Sequence, residues 1–171
     1  MVVRAFEHPV LAVDTFPVAT RGGERQYIRL AVADWVNVVP VTPDGEVVLV
    51  RQFRHGIGAS TIEVPGGVVE AGEEPEVAAI RELEEETGFV ASRLESLGWV
   101  WPNPAIQDNR VHLFVAWDAR EVGPPALDEG EDIAVELVAM DHIPAMLLAG
   151  EIRHALVVVS LERALTRWRP Q

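Results

Sequence analysis

Residues 67–89 read GVVEAGEEPEVAAIRELEEETGF, a glycine-led loop that runs into an acidic stretch and leaves it through a second glycine. Pro75 suits a first helical turn, where its missing N–H costs nothing, and Gly88 suits the position just past a last turn, so the pattern predicts a helix over 75–87. At 100° per residue Val77, Ile80 and Leu83, with Glu84 on the same stripe, are expected to turn towards a core. Glu82, Glu85 and Glu86 then share another side. Like charges at that spacing cost roughly a few tenths of a kcal/mol per pair, so a helix gains by dispersing them unless a cation sits among them. Hard oxygen ligands of this kind select Mg²⁺ or Mn²⁺. Without a cation, RELEEE reads as a solvated face with Arg81 as its partner.

Upstream, WVNVVPV, then TPDGE, then VVLVRQFR form two β-rich runs around a Pro-Asp-Gly turn, and a hairpin is expected between Trp35 and Arg54. A loop HGIGAS and a short strand TIEV lead to Pro65-Gly66-Gly67, where glycine allows close backbone approach. Downstream, 111–117 and 132–140 read as strands. The apolar spacing in IPAMLLAG and IRHALVVVSLERALTRW predicts two closing helices. Strands on both sides of a central helix, with helices at the end, imply an α/β chain with a mixed sheet between helical layers. No repeat, low-complexity tract or linker divides it, so residues 1–171 are read as one domain.

Bulk properties narrow the function. With 171 residues, 49% hydrophobic and 24% charged, the chain is long enough to bury a substantial core. The longest apolar run, ALVVVSL at 155–161, is too short to cross a bilayer, and a cytoplasmic protein without a membrane partner is expected. The absence of cysteine excludes disulfides, thiolate metal sites and thiol nucleophiles. A formal charge of -13 argues against a nucleic-acid partner. An anionic substrate would need a bound cation to offset the carboxylates around it.

The spacing within 67–89 is more specific than its composition. Gly67, five residues, Glu73, seven residues, Arg81-Glu82-Leu83, one residue, Glu85-Glu86, one residue, Gly88-Phe89 matches the Nudix signature at every specified position. Chance agreement is on the order of 10⁻¹⁰ per starting point, and the chain is identified as resembling that family. The resemblance implies a Nudix fold, an α/β/α sandwich, and divalent-metal hydrolysis of a nucleoside diphosphate joined to another moiety. It implies Glu82, Glu85 and Glu86 as metal ligands with the Gly66 carbonyl as a further one, while Arg81 and Glu73 shape the loop by pairing.

Over about residues 35–165 the chain is similar to the ADP-ribose pyrophosphatase branch. Gln52-Phe53-Arg54 resembles that branch's arginine-bearing segment, which makes Arg54 the clamp on the phosphates. Glu63 falls where the branch has a glutamate at the mouth of the site. Asp128-Glu129-Gly130-Glu131 resembles its acidic loop, implying Glu129 as general base and Glu131 as metal ligand, with Glu85 as the alternative base. Pro104 and Asn109 stand at substrate-binding positions but depart from the branch's Ser-Pro-Gly and glutamate, and Asn109 offers a neutral amide to a hydroxyl. The resemblance further implies a homodimer to which residues 1–34 contribute strands. Trp35, Trp99 and Trp101 are candidates for stacking on a base, or for core or interface. The histidines at 8, 55, 112, 142 and 154 show no metal-ligand spacing, and His55 adjoins Arg54. Rival substrates are a damaged nucleotide, coenzyme A or a dinucleoside polyphosphate, and a rival class is a nucleotide-sugar sensor without turnover.

Overall fold

A computed structural model describes residues 1–127 and 132–169. Two strands, β4 (Trp35–Val41) and β9 (Val111–Trp117), lie parallel at the centre of the main sheet, rich in the β-branched residues that pack well on a pleated surface. β8 (Arg93–Val100) joins β9 antiparallel. On the other side β5 (Glu46–Arg54) meets β4, and β5 also carries β11 (Ile133–Ala139) and β6 (Ala59–Glu63), both antiparallel. The sheet is therefore mixed, in the order β11-β5-β4-β9-β8 with β6 branching from β5.

Alternation along the strands sorts the core into two layers. Val39, Val41, Leu49, Leu113 and Val115 face α2 (Ile143–Ala149) and α3 (Ala155–Leu165), which contribute Ile143, Val157 and Leu161. Val36, Val38, Val48, Phe114 and Ala116 face α1 (Pro75–Thr87) and take up Ala78, Ala79 and Leu83. The result is an α/β/α sandwich with α1 on one side and α2 and α3 on the other.

The helix bounds over 75–87 are as expected, but the core-facing stripe is corrected. Leu83 is buried, whereas Val77 and Ile80 are 56% and 53% exposed. Ala78 and Ala79 take their place because methyl side chains let the helix lie close against β4 and β5. Gly88 ends the helix at φ +72° and donates its N–H to the Glu84 carbonyl at 2.8 Å.

Residues 1–34 form a separate antiparallel sheet of β1 (Val3–Glu7), β2 (Ala12–Thr20) and β3 (Gly23–Ala31). It is tied to the body by Leu30 N–H on the Ile106 carbonyl at 2.7 Å and by Arg29–Asp108 at 3.1 Å. Buried Asp14 accepts from both Arg29 and Arg4, and these arginines hold its carboxyl below the usual range. The pair β7 (Phe89–Val90) and β10 (Arg120–Glu121) completes the strands. Among the described residues no helix is long and apolar enough to cross a membrane.

Candidate functional site

The segment 65–69 runs beside β4 like an added strand: Val38 N–H donates to the Pro65 carbonyl, Val36 N–H to Gly67 and Val69 N–H to Asp34, each at 2.9 Å. This fixes the glycine loop against the sheet while α1 packs behind it. Gly66 N–H then donates to Oε2 of buried Glu86 at 2.9 Å, joining loop to helix. A Cβ at Gly67 would fall 2.0 Å from Oε1 of Glu82, and one at Gly66 would fall 2.2 Å from the Val36 carbonyl oxygen, so Gly66 lets the loop lie against β4 and Gly67 leaves room for the Glu82 carboxylate where Arg81 holds it.

Arg81 organises the remaining charges. Its guanidinium bonds Glu73 at 3.0 and 3.1 Å, Glu82 at 2.8 Å, Glu85 at 3.0 Å and the Val68 carbonyl at 3.1 Å. Glu73 is the largest influence holding Arg81 above the ordinary guanidinium range, against the cost of burial, with Glu82 and Glu85 adding to it. Arg81 in turn holds the Glu73 carboxyl below its ordinary value. The loop-shaping roles expected of Arg81 and Glu73 have this geometry behind them.

Glu82, Glu85 and Glu86 line one cleft of about 330 Å³ together with Gly66, Gly67 and Arg54. Among the described residues no three acidic or imidazole groups close around a single point. In kind the donor set fits a hard divalent cation, because three carboxylates and the backbone of the glycine loop line the same cleft.

Arg54, at the end of β5, donates two parallel bonds of 2.7 Å to Glu63 on β6, and Thr61 donates to the same carboxylate. Burial alone would raise the Glu63 pKa. The bonds from Arg54 and Thr61, with a smaller influence from His154, outweigh it and hold the carboxyl below its ordinary value. Both residues also border a second, mainly apolar cleft of about 600 Å³. The two clefts share Trp35, Arg54, Gly66 and Val68, so they adjoin along one wall.

Asn109 lines the apolar cleft and donates to the Ala33 carbonyl at 3.1 Å, while its buried Oδ1 has no hydrogen-bond partner among the described residues. Pro104 is exposed on a turn and borders neither cleft; Pro102 lines the apolar one instead. His55 is exposed against Phe53 and also stands outside both clefts. His154, just before α3, lines the apolar cleft, a placement no sequence spacing signalled. Glu129 and Glu131 lie outside the described residues.

Gly66 of the loop is bonded to Glu86 on the helix face that also carries Glu82 and Glu85, and the Nudix domain family matches residues 33–159. The chain belongs to the Nudix family. An ADP-ribose pyrophosphatase of Bacillus subtilis (strain 168) is 34% identical over 128 residues, covering 74% of this chain and 69% of that one. An ADP-ribose pyrophosphatase of Haemophilus influenzae (strain ATCC 51907 / DSM 11121 / KW20 / Rd) is 33% identical over 168 residues, covering 92% and 75%. A crystal structure of an ADP compounds hydrolase superposes with a TM-score of 0.85 over 98% of this chain and 91% of that one, at 24% identity, which shows a shared fold.

Proposed function

We propose that this Nudix pyrophosphohydrolase hydrolyses the diphosphate linkage of ADP-ribose or another nucleoside diphosphate sugar, using Mg²⁺ or Mn²⁺. The observation that carries the reading is the shared wall of the two clefts. A carboxylate cleft suited to a metal-bound diphosphate opens beside an apolar cleft with room for an attached ring system, and Arg54 borders both. The names of the pyrophosphatase relatives support the choice of substrate class.

Glu82, Glu85 and Glu86 would hold the metal with the Gly66 carbonyl, and Glu131 would join them. The cation, when bound, neutralises the diphosphate and acidifies the attacking water. The chain's own residues do the rest. Arg54 presents a planar two-donor fork that can turn from Glu63 to the diphosphate oxygens. Glu129 takes the proton of a water that attacks one phosphorus. The bridging P–O bond breaks, and two monophosphates leave. Ala126, just upstream of Glu129, lines the carboxylate cleft and donates its N–H to the Glu85 carbonyl at 2.8 Å, which supports a catalytic part for this segment. Asn109 and Glu63 border the apolar cleft as substrate-binding residues.

A panel of ADP-ribose, other nucleoside diphosphate sugars, coenzyme A and dinucleoside polyphosphates, incubated with Mg²⁺ and analysed for monophosphates, tests the reading. Fastest release from a diphosphate sugar is expected. Saturable binding with no products from any of them would leave a sensor, and preference for coenzyme A or a polyphosphate would move the substrate class.

A further inference from the structure

Asn37 is the one amide in the strand WVNVVPV, and it is 4% exposed. A buried amide is costly unless its bonds are made, and here both ends are engaged. Oδ1 accepts from Trp35 Nε1 at 3.1 Å, and Nδ2 donates to Ser160 Oγ at 3.1 Å. Ser160 in turn donates to the Leu156 carbonyl at 2.7 Å, anchoring the chain of bonds in α3. Residues 35 and 37 point to the same sheet face, so the relay runs from helix to indole along that face. It fixes an indole that lines both clefts. Trp99 and Trp101 are differently employed: they meet edge to face at 4.7 Å with Arg110 over Trp99 at 4.8 Å, and neither borders either of these two clefts.

We propose that Trp35 is the specificity-determining surface on which the ring system attached to the diphosphate packs, and that Asn37 is the residue that positions it. The inference rests on the diphosphate reading for the identity of the ligand. An indole offers a flat apolar face to a base or to the less polar side of a sugar ring. Such a face serves recognition only if its orientation is set beforehand, since ordering a loose side chain on binding costs affinity. The Asn37–Ser160 relay supplies that order. The amide also borders the glycine loop, a Cβ at Gly66 falling 2.9 Å from Asn37 Oδ1, so one side chain is in register with both the metal loop and the indole.

Two ligands separate this role from a general one: α,β-methylene ADP-ribose, which carries the ring systems, and methylenediphosphonate, which carries none. Both are titrated calorimetrically with Mg²⁺ present. Trp35→Ala should weaken the first about tenfold, the scale of one ring-on-aromatic contact, and the second less than about twofold. Asn37→Leu should weaken the first ligand in the parent but not in Trp35→Phe, where the ring remains and the indole N–H is gone. Equal losses for both ligands, no loss for either, or an Asn37→Leu effect of the same size in both backgrounds would overturn the proposal. So would a parent that binds neither ligand. A parent that binds the analogue with this pattern but releases no monophosphate from any member of the substrate panel would remove the hydrolase reading and leave the role of Trp35 standing.

Discussion

At Gly67 a single methyl group would have to share space with the Glu82 carboxylate, which Arg81 holds at 2.8 Å. The chain can relieve that clash only by moving the loop or by breaking the pair. Gly67→Ala is therefore expected to lower turnover about 100-fold, the scale of an ångström-level misplacement in a site, while thermal unfolding shifts by only about 1–2 kcal/mol. Steady-state rates and melts on the same preparations check this. Glu63 gives the pH prediction. Its lowered pKa means that the Arg54 pair contributes stability above the ordinary value of 4.5, and that the contribution is lost as pH falls through the folded value. In Arg54→Met, burial acts on Glu63 with less opposition, so the variant should lose about 1–3 kcal/mol at pH 7, the low range because the partly exposed guanidinium already shares water. The gap should begin to narrow as pH falls towards 4.5, where the variant's carboxyl protonates first, and go on narrowing until pH passes below the parent's lower folded value; urea melts at pH 7 and at successively lower pH measure it. The acidic residues of α1 were legible because their relation is local, three and four positions along one helix. Asn37 and His154 were not, because what gives each its place, a bond to Ser160 for one and the lining of the apolar cleft for the other, is assembled from residues far along the chain.

The helix α1 shows where periodicity succeeds and where it misleads. Its ends follow from Pro75 and Gly88, local signals that need no tertiary context. Its inward face does not follow from the bulkiest apolar residues. The loop 65–69 and the sheet demand close approach, and Ala78 with Ala79 satisfies it where Val77 and Ile80 would not. Leu83→Ala should accordingly destabilise the protein by about 2–5 kcal/mol through a cavity under the helix, and Ile80→Ala by less than about 1 kcal/mol. Chemical denaturation of the two variants decides the matter, and similar losses would restore the original stripe. Strand β8 was hidden for another reason. Its pairing with β9 is broken between Ser96 and Trp99, with Gly98 at φ +82°, so its sequence shows no clean alternation.

Across the whole molecule, strand order was not legible, because β4 pairs with β9 across the intervening α1 and β8, and no local pattern encodes that partnership. Net charge was legible, and it carries a prediction. On the proposed function, a chain of charge -13 acting on a diphosphate would need a cation at its carboxylate cleft, so a chelator should abolish turnover, and added Mg²⁺ or Mn²⁺ should restore it. Assayed turnover that survives exhaustive chelation would count against metal dependence. The N-terminal sheet raises the last question of scale. Val3, Phe6 and Ile28 are each about half exposed on one face, since Val3 and Ile28 both pair with Thr15 and Phe6 pairs with Val13, and three strands alone leave such a face in water. A second copy of the chain would cover it and would bring its own N-terminal strands towards the apolar cleft, which Pro9 and Val10 already border. Sedimentation equilibrium should then give twice the 18.8 kDa chain mass, and Phe6→Asp combined with Ile28→Asp should return the single-chain value. If the parent already sediments as one chain at micromolar concentration, the exposed face is not a self-association surface, and the apolar cleft must be complete within each molecule.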